Sequence, residues 1–180
     1  EACTEFYQNN QAWPAELEGQ ILENIAKVEA AMGGKFGDTE NPLLRSVRSG
    51  ARVSMPGMMD TVLNLGLNDQ TVQGLIKKSN NPRFAWDSYR RFIQMYGDVV
   101  MGVDHASFEA ALSAAKDAKG VKDDTDLDAE DLETLVEKYK EIVQKEAGRL
   151  FPDSPFEQLR GAINAVFLSW NTPRAIRYRQ

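Results

Sequence analysis

The chain of 180 residues contains one cysteine, Cys3, and one histidine, His105. A single thiol excludes an internal disulfide and fits a reducing compartment, so a cytoplasmic setting is expected. No apolar run approaches the roughly 18 residues needed to cross a membrane. Positive charge is also short: 21 Lys and Arg stand against 27 Asp and Glu, a formal net charge of −6. That balance argues against non-specific nucleic-acid binding, which wants a basic face. No internal repeat or low-complexity tract is present, and nothing after Glu1 reads as a signal peptide. What is there suffices for a core. Hydrophobic residues make up 42%, an ordinary share for a globular protein, and the length suits one domain or two small lobes. The first residue is Glu1, inside what reads as a helix or turn, so the chain is expected to be an excised piece.

Periodicity and punctuation organise the rest. Leu17, Ile21, Ile25 and Val28 recur at helical spacing after Pro14, and Gly33-Gly34 ends that helix. Residues 43 to 49 form the one convincing strand. Asp69 can cap a short helix carrying Val72, Leu75 and Ile76, and Asn81-Pro82 opens the next, with Phe84, Phe92, Ile93, Tyr96 and Val100 as its apolar stripe. A helix near 105 to 118 presents Phe108, Ala111, Leu112 and Ala115, and Gly120 closes it. Another follows Asp128 with Leu132, Leu135, Val136, Tyr139, Ile142 and Val143 on its buried side. Ser154-Pro155-Phe156-Glu157 has the form of a capping box that launches the run Phe156, Leu159, Ile163, Val166, Phe167 and Trp170. Pro173 is expected to stop that run, and Ala175 to Tyr178 to begin a strand. The expected fold class is therefore α+β and mostly helical. Residues 1–66 belong to an α/β subdomain, 67–152 form an inserted helical subdomain, and 153–180 return to the first part. The two strand-bearing stretches are expected to share a sheet, since single strands are not stable alone.

Several features carry a bland reading that outweighs the sharp one. The acidic cluster from Asp123 to Asp131 invites a calcium loop, but counting from Asp124 the sixth position is Ala129 and the twelfth is Leu135. A solvated turn with helix caps fits better, Asp128 being a candidate cap. Gly33-Gly34-Lys35-Phe36-Gly37 lacks the spacing and ending of a phosphate loop and reads as a helix-terminating turn. Tyr89-Arg90-Arg91-Phe92 reads as a solvated helix face or a docking surface rather than a nucleic-acid stripe. Met55, Met58 and Met59 suit either packing or a flap in a glycine-containing loop.

Residues 42 to 69 are the most informative stretch. The apolar run Leu43, Leu44 and Val47 leads into three arginines, Arg45, Arg48 and Arg52, with small turns at Gly50 and Gly57. A buried strand ending in arginines and a flexible loop can hold a polyphosphate. Glycine lets backbone N–H groups approach, and guanidinium forks bind phosphate oxygens in pairs. Any strand-to-turn junction in a basic patch could look the same.

As a literal string the stretch is more specific. FGDTE at 36 to 40, SVRSGARVSMPGMMDTVLNLG at 46 to 66, NPRFAWDSYRRFIQMYGDVV at 81 to 100 and AVFLSWNTPRAIRY at 165 to 178 resemble the pyruvate, phosphate dikinase family in order and spacing. The resemblance spans nearly the whole chain and is weakest over 102 to 155. It implies part of an N-terminal ATP-grasp nucleotide-binding domain, in an enzyme interconverting pyruvate, ATP and phosphate with phosphoenolpyruvate, AMP and pyrophosphate. Arg48 matches the motif arginine that contacts ATP phosphates, and Arg52 the supporting one. Ser49, Gly50, Met55, Gly57, Met58 and Asp60 complete the expected ATP-phosphate site, the loop from Met55 to Asp60 closing over the phosphates.

The resemblance also implies what lies elsewhere. The lysine-bearing glycine loop would precede Glu1, and the acidic ligands of Mg2+ would follow Gln180. The phosphohistidine belongs to a separate swivelling domain, whose glycine- and threonine-rich context is unlike Val103-Asp104-His105-Ala106-Ser107. His105 is then a surface residue near a helix start. No catalytic residue and no metal ligand is expected in this segment, which should not turn over alone. The partners implied are ATP and the phosphohistidine domain, the parent enzyme being a homodimer through other regions. Two alternatives remain: a phosphoenolpyruvate synthase-like ATP-binding domain, against which Met55-Pro-Gly-Met-Met-Asp60 argues, and a helical docking module that binds no nucleotide.

Overall fold

Residues 2–50 and 57–180 are described by a computed structural model of the chain. The first segment carries helices α1 (Ala2–Gln8) and α2 (Leu17–Met32) and strand β1 (Arg45–Arg48). Strand β2 (Thr61–Leu65) follows, and then helices α3 (Thr71–Ser79), α4 (Pro82–Val99), α5 (His105–Lys119) and α6 (Ala129–Ala147). Helices α7 (Pro155–Ser169) and α8 (Pro173–Arg179) end the chain.

Local chemistry explains most boundaries. Gly33 closes α2 at φ 65°, a left-handed conformation that costs glycine nothing. Asn81 accepts from the Phe84 N–H at 3.0 Å with Pro82 in the first turn, so α4 opens as expected. Asp128 and Asp131 exchange a reciprocal capping box at the start of α6. Asp124, Asp128 and Asp131 of the acidic cluster are held by lysines, and Asp128 and Asp131 also accept from backbone N–H groups. Ser154 accepts from the Glu157 N–H at the start of α7.

Three expectations need correction. The strand partner is β2, which pairs antiparallel with β1 in the register Arg45↔Leu65, Val47↔Val62 and Arg48↔Thr61. The register slips between Arg45 and Val47 because β2 carries one extra residue there, and Asn64 takes a left-handed φ of 60°. Ala175 to Tyr178 form a helix rather than a strand. Thr172 caps α8 by accepting from the Ala175 N–H, and Pro173 fits the first helical turn, so the proline that ends one helix starts the next. Among the described residues the sheet therefore has only β1 and β2, and the last stretch meets it through helix α7, which packs on both strands. Finally, Asn68 rather than Asp69 caps α3: its Oδ1 accepts from the Thr71 N–H at 2.8 Å.

Helix α4 is the axis of the core. It packs against α3, α5, α6 and β2. Tyr89, Phe92, Ile93 and Tyr96 are buried along it, whereas Phe84, assigned to its apolar stripe, is 49% exposed at the first turn. Tyr139 from α6 donates to the Phe108 carbonyl at 3.1 Å, so α5 and α6 are joined by a buried hydrogen bond as well as by ring contact.

Gln158 locks α7 to the end of β2. Fully buried, it accepts from the Gly66 N–H at 2.9 Å and donates to the Leu67 and Pro152 carbonyls, each at 2.8 Å. Gly66 itself is obligatory. Its φ is 107°, and a Cβ there would lie 3.1 Å from the Phe36 ring.

Candidate phosphate-binding site at the hairpin end

Side chains alternate across β1. Arg45 and Val47 turn toward the interior, and Ser46 and Arg48 toward solvent. Arg48 ends the strand opposite Thr61, where the hairpin connection begins. It is exposed and makes no hydrogen bond or ion pair with any other described residue. Ser49 is half-buried and Gly50 exposed, with nothing within 4 Å of a Cβ built at Gly50. Gly57 is exposed and open in the same way, at φ 69°. Both glycines leave their backbone approachable.

The connection is anchored where it rejoins the sheet. The Asp60 N–H donates to Ser169 Oγ at 3.1 Å, and that hydroxyl donates to the Val166 carbonyl at 2.7 Å. Burial pushes the Asp60 carboxyl above its usual range; Arg174 opposes the shift and Asp98 adds to it. Met58 lines a cavity against α8. Arg48, Asp60 and Met58 thus gather at one end of the hairpin, beside Ser49, Gly50 and Gly57. Arg52 and Met55, assigned to the same site, lie outside the described residues.

Arg45 belongs to a different environment from Arg48. Its guanidinium lies 6.0 Å from the Phe36 ring centroid, and its Nε and Nη2 are buried without a partner among the described residues. Strand alternation, applied to Arg45 and Arg48 three residues apart, is the signal that separates them. Ser169 and Arg174, which meet Asp60, were legible only as part of the AVFLSWNTPRAIRY string, and reading its end as a strand hid helix α8.

The docking stripe does not survive as drawn. Tyr89 and Arg90 are 0% and 3% exposed, Arg90 being held by Asp87 Oδ1 at 2.7 Å from Nη2. Only Arg91 of the three faces solvent, with its Nε 2.9 Å from Asp87 Oδ2. His105 sits on the first turn of α5, exposed, with Nδ1 3.3 Å from Asp98 Oδ2 and Nε2 3.6 Å from Glu109 Oε1. No cluster of three or more His, Cys, Asp or Glu suited to a metal occurs among the described residues. Asp60 is a carboxylate at the hairpin end, raised by burial and further by Asp98, so its charged form is disfavoured. The Arg48 guanidinium and open backbone N–H groups are donors of the kind that phosphate oxygens accept. No helix among the described residues is long and apolar enough to cross a membrane.

An arginine-bearing hairpin end with open glycine backbone is compatible with a segment of a nucleotide-binding domain, the class to which comparison with known proteins assigns the chain. The profile of the family described as "Pyruvate phosphate dikinase, AMP/ATP-binding domain" matches residues 9–180. The pyruvate, phosphate dikinase of Clostridium symbiosum is 60% identical over 182 residues, covering 100% of this chain and 21% of that protein. The Giardia intestinalis enzyme of the same name is 54% identical, over 99% of this chain and 20% of its own length. The chloroplastic enzyme of Mesembryanthemum crystallinum is 55% identical over 99% of this chain and 19% of its own. The chain belongs to the pyruvate, phosphate dikinase family and spans about a fifth of the length of these relatives.

Proposed function

We propose that this segment forms one wall of the ATP site of an enzyme that interconverts pyruvate, ATP and phosphate with phosphoenolpyruvate, AMP and pyrophosphate. The observation that carries this reading is Arg48, solvent-facing at the hairpin end and without a hydrogen bond or ion pair to another described residue, beside the open backbone of Gly50 and Gly57. Phosphoryl transfer depends on positioning and on neutralising charge spread over phosphate oxygens, and a planar guanidinium suits both tasks. Arg48 would grip two phosphate oxygens at once, with the Ser49 and Gly50 N–H groups as further donors. Arg52 and Met55 complete the proposed contacts, and Met58 and Asp60 belong to the segment that closes over the phosphates.

The rest of the reaction is assigned to other parts of the full-length protein. We place this segment in an ATP-grasp domain, with residues 67–152 as a helical subdomain flanked by 1–66 and 153–180. The phosphoryl carrier is proposed to be a histidine on a separate domain, since His105 lies on an exposed first turn between two carboxylates. Mg2+ would neutralise phosphate charge when bound, its carboxylate ligands coming from outside this segment. A homodimeric, cytoplasmic enzyme completes the proposal.

Arg48→Ala in the full-length enzyme tests it. ATP affinity should fall by about 10- to 100-fold, the effect of losing a hydrogen-bond donor to a charged group. Exchange of label between pyruvate and phosphoenolpyruvate, which needs no ATP once the carrier is phosphorylated, should persist. Unchanged ATP affinity would count against the reading.

A further inference from the structure

Helix α7 grips β2 at both ends. Gln158, in the first turn of the helix, accepts from the Gly66 N–H at 2.9 Å, just past the C-terminal end of the strand. Ser169, its last residue, accepts from the Asp60 N–H at 3.1 Å, just before the strand begins. The two side chains are 11 residues apart, close to three whole turns, and so leave the same face of the helix. They lie roughly 16 Å apart along the helix axis, and the backbone from Asp60 to Gly66 spans roughly 20 Å if fully extended. The extra residue beside Asn64 takes up part of that difference. Helix and strand thus run antiparallel over matched lengths, and α7 also packs on β1.

The Ser169 end of this clamp is the one beside Arg48. Arg48 is the last residue of β1, its partner is Thr61, and Asp60 immediately precedes Thr61. A two-stranded ribbon is marginal by itself and opens most easily at its ends. Here the end is held by a hydroxyl with both its donor and an acceptor position in use. Ser169 is 2% exposed, and its Oγ accepts from the Asp60 N–H while donating to the Val166 carbonyl at 2.7 Å. The Ser169 carbonyl is held in turn, accepting from Thr172 Oγ1 at 3.0 Å where α8 is capped. A helix end fixed in this way gives the hairpin a rigid point of attachment, and binding groups work only when such support holds them in place.

We propose that Ser169 is a positioning residue for nucleotide binding: by holding the Asp60 backbone it fixes the Arg48–Thr61 pair, and with it the direction in which the Arg48 guanidinium meets phosphate. This rests on the nucleotide reading above and extends it to a residue more than 100 positions from Arg48 in the sequence. Ser169 itself touches no phosphate. Its effect on the ligand passes through Arg48, which sets it apart from a residue that only stabilises the fold.

The test is a double-mutant cycle in the full-length enzyme, with Ser169→Ala, Arg48→Ala and the pair each titrated calorimetrically with ATP. Ser169→Ala alone should weaken ATP by about three- to ten-fold, the effect of leaving one amide hydrogen bond unmade. On the Arg48→Ala background the same change should cost less than about two-fold, because the group it positions is gone. Amide hydrogen exchange supplies a second readout. The Asp60 amide should exchange slowly in wild type and faster in Ser169→Ala, while the Gly66 amide, held by Gln158, stays as it was. An equal loss of ATP affinity on both backgrounds would overturn the inference and leave Ser169 a structural residue only. Unchanged affinity in Ser169→Ala, with Arg48→Ala impaired, would also overturn it while the nucleotide reading stands. Normal ATP binding by Arg48→Ala would sink both. Fast exchange of the Asp60 amide in wild type would overturn the inference whether or not Ser169→Ala folds.

Discussion

Arg45 and Arg48 share a strand of four residues and have opposite fates. In sequence they stand together as part of a three-arginine run, and only the period-two alternation of a strand sends one inward and the other out. The inward one is a cost: Nε and Nη2 of Arg45 are removed from water and find no acceptor among the described residues. Arg45→Met is therefore expected to leave stability unchanged or raise it by about 1 kcal/mol, read from the urea midpoint at constant slope. A fall of that size would mean the guanidinium has a stabilising partner. Asp128 illustrates the reverse case. Its hydrogen bond to Lys119, and then those from the Asp131 and Glu130 N–H groups, hold its carboxyl down at about 2. A depressed folded-state value stabilises the protein above the unfolded-state value of about 4 and is lost as pH falls toward 2. Asp128→Asn keeps a competent cap but loses the charge. Its acid unfolding should depend less on pH between about 4 and 2 than that of wild type.

At the scale of elements, what could be read and what could not follow from how local each signal is. Helices α2, α4, α5, α6 and α7 were legible because their apolar spacing, caps and terminal glycines all lie within the helix or one residue beyond it. Strand β2 was not. Thr61 to Leu65 is only five residues, sits among glycines, and takes its identity from pairing with β1. Helix α8 was misread because Pro173 signals both the end of α7 and the beginning of a new helix, and Thr172 as a cap decides between them. The lock between α7 and the sheet, Gln158, gives no sequence signal at all; a glutamine in a helix reads as a surface residue until its partners are known. Gln158→Leu leaves the Gly66 N–H and the Leu67 carbonyl unpaired in the interior. A loss of about 2–4 kcal/mol is expected by chemical denaturation. Gly74 makes a similar point about packing. A Cβ there would meet the Thr39 carbonyl oxygen inside contact distance and Pro42 Cδ at 2.8 Å. Gly74→Ala should therefore destabilise the protein by about 1–3 kcal/mol, although alanine is the better helix former.

For the whole molecule, the fold works as a helical body that holds one short hairpin. Helix α4 and its neighbours bury the aromatic core, and α7, locked by Gln158 and Ser169, presents the hairpin end beside α8. The candidate site was legible around Arg48 because its residues are contiguous in sequence. The anchoring of Asp60 by Ser169 was not, since more than 100 residues separate the two. Membership of the pyruvate, phosphate dikinase family fits the proposal that Arg48, exposed and without a hydrogen bond or ion pair to another described residue, meets phosphate. The most direct test of that claim is ATP binding to the full-length enzyme with and without Arg48→Ala, with pyruvate–phosphoenolpyruvate exchange as the control. Arg48→Ala is expected to lose about 10- to 100-fold in ATP affinity with exchange intact. Equal affinity in the two proteins would contradict it and return Arg48 to the status of an ordinary surface arginine.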